Sequence, residues 1–212
     1  MNKNTRVPGK IFKAPMYILF LFFMINLFER SVNAQDRKLT YDVMRNGDTI
    51  GTIIFLELNK DQKKILSLTA DVKTKFIFSF SDHSEEAAAY ENGVMMYSSF
   101  RQKQNGTDKA NKITIASGKS YKITDNGNSK IVECGPIRYN MLLLYSTVPE
   151  FVYQVYSDNF QKLLDIKKVE NNRYRLALPD GNYNYYSYKN GVCSRVDVER
   201  SLYSIQFVLR DQ

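Results

Sequence analysis

Leu66-Ser67-Leu68-Thr69-Ala70-Asp71-Val72-Lys73-Thr74-Lys75-Phe76-Ile77-Phe78-Ser79-Phe80 is the stretch that decides the fold class of this 212-residue chain. Leu66, Leu68, Ala70, Val72, Phe76, Phe78 and Phe80 share one parity, with Thr74 among them, while Ser67, Thr69, Asp71, Lys73, Lys75 and Ser79 take the other. Side chains of an extended strand point alternately to its two faces, so a period of two describes a ribbon with one apolar and one wet face. The alternation returns at Leu39, Tyr41 and Val43, at Ile113 and Ile115, at Tyr121 and Ile123, and at Tyr174, Leu176 and Leu178. It appears again from Val192 to Val198 and in Tyr203, Ile205, Phe207 and Leu209, which supply a last strand.

The connections carry an equally strong signal. Asn-Gly occurs at Asn46-Gly47, Asn92-Gly93, Asn105-Gly106, Asn126-Gly127 and Asn190-Gly191, and Asp180-Gly181 is a near equivalent. These dipeptides tolerate positive φ at both central positions of a type I′ turn, the tight turn that joins antiparallel neighbours. Parallel strands would need crossovers of a dozen or more residues, and almost none are visible. A single ribbon from Leu66 to Phe80 would be about 50 Å long at roughly 3.3 Å per residue, too long for a flat sheet. The expected fold is therefore all-β, a single antiparallel meander curled into a barrel or half barrel.

One segment breaks the pattern. Gly135-Pro136-Ile137 ends a strand, and the apolar block Arg138-Tyr139-Asn140-Met141-Leu142-Leu143-Leu144-Tyr145, closed by Pro149, predicts one short helix near residues 138–146, lying across an open end of the sheet. A fully buried strand is the competing assignment. Tyr90-Glu91-Asn92-Gly93-Val94 and Tyr188-Lys189-Asn190-Gly191-Val192 echo each other only as repeated turn chemistry.

At the amino terminus, Lys3, Arg6, Lys10 and Lys13 precede an apolar run from Met16 to Ile25, followed by Ser31-Val32-Asn33-Ala34. That is the layout of a cleavable signal peptide, residues 1–34, leaving 35–212 as a single β-barrel-like domain and placing the protein in the periplasm or outside the cell. The ten-residue run is half of the roughly 20 residues that span a bilayer, so no membrane-integral form is expected after cleavage. Nor is an integral outer-membrane barrel: the chain ends Leu209-Arg210-Asp211-Gln212 without a terminal aromatic, and its strands lack paired aromatic girdles. The mature part keeps 25 Lys and Arg against 21 Asp and Glu, a net charge of +4, interspersed along the chain, so no nucleic-acid partner is expected.

The central Gly135-Pro136-Ile137, the opening Leu39-Thr40-Tyr41-Asp42-Val43 with Asn46-Gly47 and Ile50-Gly51, and the late Leu178-Pro179-Asp180-Gly181 with Tyr188-Lys189-Asn190-Gly191-Val192-Cys193 resemble a family of exported bacterial β-rich proteins known only as a domain of unknown function. The resemblance covers nearly the whole mature chain. It implies a periplasmic or otherwise extracytoplasmic β-rich fold and assigns no activity.

Motifs for chemistry are sparse. His83 is the single histidine; it shares a strand face with Glu85 and adjoins Glu86, but charges at a strand edge are ordinarily solvated, and no metal site and no cofactor are expected. There is no Gly-x-Ser-x-Gly elbow or phosphate loop, and no carboxylate pair stands out. Cys134 and Cys193 are read as free residues in separate strands in preference to a disulfide. Tyr183, Tyr185, Tyr186 and Tyr188 crowd six residues, which ordinary strand propensity accounts for better than an aromatic ligand wall. The expected function is a non-enzymatic binding module for a lipid or other apolar ligand held on the concave apolar face, with Leu68, Val72, Phe76, Phe78, Ile205 and Phe207 as the candidate ligand-binding residues. The alternative is a structural or assembly factor that contacts another envelope protein, and a hydrolase without an identified site comes third.

Overall fold

The computed structural model describes residues 36–75, 79–200 and 204–210. The leader therefore lies outside the described residues, as do Phe76 and Phe78. Among the described residues, fourteen strands follow one another as a meander: β1 (Arg37–Arg45), β2 (Asp48–Lys60), β3 (Lys63–Lys75), β4 (Ser79–Glu91), β5 (Val94–Gln104), β6 (Thr107–Ser117), β7 (Ser120–Asp125) and β8 (Asn128–Val132), then β9 (Gln154–Ser157), β10 (Lys162–Glu170), β11 (Arg173–Ala177), β12 (Tyr183–Lys189), β13 (Val192–Glu199) and β14 (Ser204–Leu209). All pair antiparallel in one sheet of order β8-β7-β6-β5-β4-β3-β2-β1-β14-β13-β12-β11-β10-β9. The first and last strands of the domain meet in the middle of that order, Tyr41 opposite Leu209 and Val43 opposite Phe207.

Both members of all five Asn-Gly pairs are at positive φ, as in Asn46 (52°) and Gly47 (90°). Asp180-Gly181 differs: only Gly181 is at positive φ, and the Asp180 carboxylate instead accepts the Asn182 amide at 3.1 Å. The ribbon expected over Leu66–Phe80 is two strands. Lys75 pairs with Ser79 and Thr74 with Phe80, so the two strands run antiparallel. Thr74 and Phe80 are an even number of residues apart and share a face, so the parity agrees between the two strands and hides the division.

The helix near 138–146 is a single 3-10 turn, Met141–Tyr145. It lies within the curl of the sheet as a plug, with Leu142, Leu143, Leu144 and Tyr145 buried. Tyr145 stacks on Phe55 of β2 at 5.6 Å and meets Tyr41 of β1 and Tyr186 of β12 edge-on at 5.3 and 6.5 Å. A turn this short leaves carbonyls without intrahelical partners. Tyr188 Oη donates to the Leu144 carbonyl at 2.9 Å, and the Arg37 guanidinium to that of Ser146 at 2.8 Å. Burial of each large side chain here contributes about 1.5–3 kcal/mol.

The outer strands β8 and β9 do not pair with each other. Side chains join the two flanks instead. The Thr114 and Tyr156 hydroxyls are hydrogen-bonded at 2.9 Å, and Gln161 Nε2 donates to the carbonyls of Ile113 and Thr124 at 3.1 and 3.0 Å. The inner face is a continuous apolar cluster that includes Leu39, Tyr41, Val43, Ile53, Phe55 and Leu66.

Close approach of backbones fixes Gly51, which faces Val72 across β2 and β3. A Cβ there would lie 2.2 Å from the Asp71 carbonyl oxygen and 2.8 Å from the Val72 Cα. Gly51→Ala is expected to lower the urea midpoint, by about 1–3 kcal/mol of unfolding free energy, as the strands separate to admit the methyl group.

Candidate functional site

Antiparallel alternation brings the β2–β3, β4–β5 and β6–β7 turns to one end of the sheet, and the segment that carries the plug crosses there. An open pocket of about 500 Å³ lies between the first two of these turns and that segment. The rings of Tyr90 and Tyr139 and the side chain of Leu143 contribute its apolar lining; Lys63, Lys64 and Arg138 contribute cations. Tyr139 is held in place by its hydroxyl, which donates to the Thr147 carbonyl at 2.6 Å. Lys64 is committed to the buried Glu57 at 2.7 Å, while Lys63 reaches Glu91 only at 3.8 Å. Arg138 is exposed and has no acidic partner among the described residues.

Tyr90 connects this pocket to a polar cluster in the interior. Its hydroxyl is buried without a hydrogen-bond partner, as are Ser98 Oγ, Asn140 Oδ1 and Asp158 Oδ1. Asn140 Nδ2 donates to the other carboxylate oxygen of Asp158 at 2.9 Å. Ser98, Asn140 and Asp158 are 1%, 0% and 3% exposed, so four unsatisfied polar atoms collect where a buried polar group ordinarily finds a partner or an ordered water. Burial pushes the Asp158 carboxyl up to about 7, against the opposing pull of the Ser98 hydroxyl and the Asn140 amide; Ser98 Oγ is near enough to act on the charge but outside hydrogen-bonding geometry.

Glu86, on the inner face of β4 in register with Leu68 and Phe100, belongs to the same interior. Burial and then the Asp158 charge take its carboxyl to about 8. The side chain keeps partial solvent contact, so that shift holds only while the space around it stays dry. Glu86 is missed when it is grouped with His83 and Glu85 as a solvated edge charge. It has the parity of Ala88 and Tyr90, both buried, and that is the signal that places it inside.

His83 is on the outer face, its Nδ1 2.7 Å from an Asp71 carboxylate oxygen and its Nε2 3.6 Å from Glu85. No group of three or more metal-ligating side chains occurs among the described residues. The structure separates the residues expected on the concave apolar face. Leu68 is buried in the core, Val72, Ile205 and Phe207 are half-buried against it, and Phe76 and Phe78 lie outside the described residues. Cys134 is exposed beyond β8 and Cys193 is buried in β13, both free. The tyrosine cluster divides by parity. Tyr186 and Tyr188 are core, whereas Tyr183 and Tyr185 face outward beneath the guanidinium groups of Arg175 and Arg173 at 4.4 and 4.7 Å.

A family model described as a domain of unknown function, DUF6134, matches residues 41–210. The chain belongs to that family. Its fold is similar to the crystal structure of a beta-barrel-like protein of domain of unknown function DUF1849 from Brucella abortus, with a TM-score of 0.53 and 8% sequence identity over 82% of this chain and 95% of that one. No curated protein matches the chain significantly. At 8% identity the likeness concerns the barrel-like meander alone.

Both interior carboxyls hold protons in the folded protein between about pH 4 and their raised values, a range in which the unfolded chain has lost them. The folded state binds more protons there, so their contribution to stability falls as pH rises through that window and levels off above about 8. Asp158→Asn and Glu86→Gln should each flatten the slope of unfolding free energy against pH and raise stability at pH 8 by on the order of 1 kcal/mol or more, measured by urea unfolding at pH 5, 6.5 and 8.

Proposed function

We propose that the domain is a non-enzymatic binding module, acting outside the cytoplasm, that holds a small amphiphile with an anionic head in the pocket over the plug. The observation that carries this is the pairing of an apolar lining, from Tyr90, Tyr139 and Leu143, with an unneutralised guanidinium at Arg138 in one open pocket of about 500 Å³. Pockets for small ligands fall between about 300 and 1,000 Å³, mostly apolar with a few placed polar groups. The signal-peptide layout of residues 1–34 supports the extracytoplasmic setting. This site differs from the concave face expected from the strand pattern, because Leu68 is occupied in packing the core.

The alternative, a factor that docks another envelope protein, draws on the unpaired outer edge of β8, a ready template for strand addition. The two diverge in what they ask of the pocket. An anionic fluorescent probe, a dansyl-labelled undecanoate, should bind the protein with enhanced emission. The double substitution Lys63→Glu and Arg138→Glu should weaken it about tenfold or more, and the corresponding neutral alcohol should bind less tightly than the carboxylate. Carboxylate binding indifferent to both charge reversals would remove the pocket from consideration.

A further inference from the structure

The outer face of the sheet carries a feature that the pocket does not use. Leu58, Ile65, Ala89, Tyr97, Ile115, Lys122 and Ile131 form one unbroken register row across β2 to β8, each directly opposite the next. Leu58, Ile65, Tyr97, Ile115 and Ile131 are 50%, 53%, 36%, 45% and 60% exposed. At roughly 4.8 Å per strand the row is about 29 Å long. The neighbouring row toward the far end, from Leu56 through Ser67, Ala87 and Ser99 to Ser129, carries no charge. Charges resume only in the row after that, with Glu85 and Arg101. An outer face ordinarily alternates with charged residues, so two successive rows with Lys122 as their only charge are a departure.

The border of this stripe selects its occupant. On the side toward the plug lie Lys60 and Lys63, which flank the β2–β3 turn, and Lys119 of the β6–β7 turn. Among the described residues, Lys60, Lys119 and Lys122 have no acidic partner, while the acids at this border include Asp61 and the Lys63-bound Glu91. Long lysine side chains can lay their methylenes along an apolar surface and extend the ammonium to a phosphate layer. Tyr97, apolar in body and polar at its tip, suits the same boundary. Two rows span roughly 7–10 Å along the strands, well short of the apolar band of about 25 Å in a membrane-spanning barrel.

We infer that this stripe is a peripheral docking surface for an anionic lipid bilayer, entered by Leu58, Ile65, Tyr97 and Ile115 and held by the turn lysines. It goes beyond ligand binding in the pocket and stands without it, since none of those four residues lines the pocket. The two features are at the same end of the sheet, so docking would bring the mouth of the pocket toward the lipid headgroups.

The absence of tryptophan makes the test site-specific. In the full chain, Tyr97→Trp places one indole in the stripe, and Tyr183→Trp places one on the outer face of β12. With vesicles containing phosphatidylglycerol, the emission of the first should shift to the blue and that of the second should not. The shift should shrink with pure phosphatidylcholine vesicles and at 0.5 M salt, where surface charges are screened over about 4 Å. Adding Ile65→Glu and Ile115→Glu to Tyr97→Trp should weaken vesicle partitioning about tenfold or more, with unchanged circular dichroism confirming the fold. An unshifted Tyr97→Trp spectrum with anionic vesicles would overturn the inference, as would equal shifts at both positions. If the Glu substitutions instead abolished self-association or capture of a protein partner without any lipid response, the stripe would be a protein interface.

Discussion

A sheet with two unpaired outer strands has to be completed by something other than another strand, and here that is the buried turn from Met141 to Tyr145. Tyr145 touches β1, β2 and β12 through ring contacts. The carbonyls of Leu144 and Ser146 are satisfied by Tyr188 and Arg37, so polar backbone can be buried there at little net cost. Around this centre the first and last strands pair, which ties the eight strands before the plug to the six after it.

The same plug organises the candidate site. The residues leading into it, Arg138 and Tyr139, wall the pocket; Asn140, the residue just before the turn, reaches down to Asp158. One face of this crossing is thus solvent-accessible with apolar and cationic groups, and the other lies over the buried Asp158 and the partly buried Glu86, whose carboxyl affinities for protons are raised. A buried acid that holds its proton weakens the folded state as pH rises, a cost of the kind that collects at functional positions.

Much of the architecture was legible in the sequence because most strands have a wet and a dry face and five of the reversals use Asn-Gly. The division of Leu66–Phe80 into two strands was not, since the sequence there has no turn dipeptide and Thr74 and Phe80 share a parity. The plug was legible as a break in the alternation but not as a 3-10 turn, because an apolar run of that length fits several conformations and the packing around it decides. The pocket was illegible for a different reason: its lining comes from 59–64, 90–93 and 138–147, which only the meander's topology brings together. Glu86 could have been found by parity; Asp158, in the turn after β9, offers no such pattern.

The account rests on Tyr145 joining strands from both flanks, and equilibrium urea unfolding of Tyr145→Ala, followed by far-ultraviolet circular dichroism, tests that most directly. A single cooperative transition destabilised by about 3–5 kcal/mol is the expected result for removing a buried aromatic at the centre of the core. A loss below about 1 kcal/mol, the size of an ordinary surface substitution, would show that the sheet holds its curl without the plug.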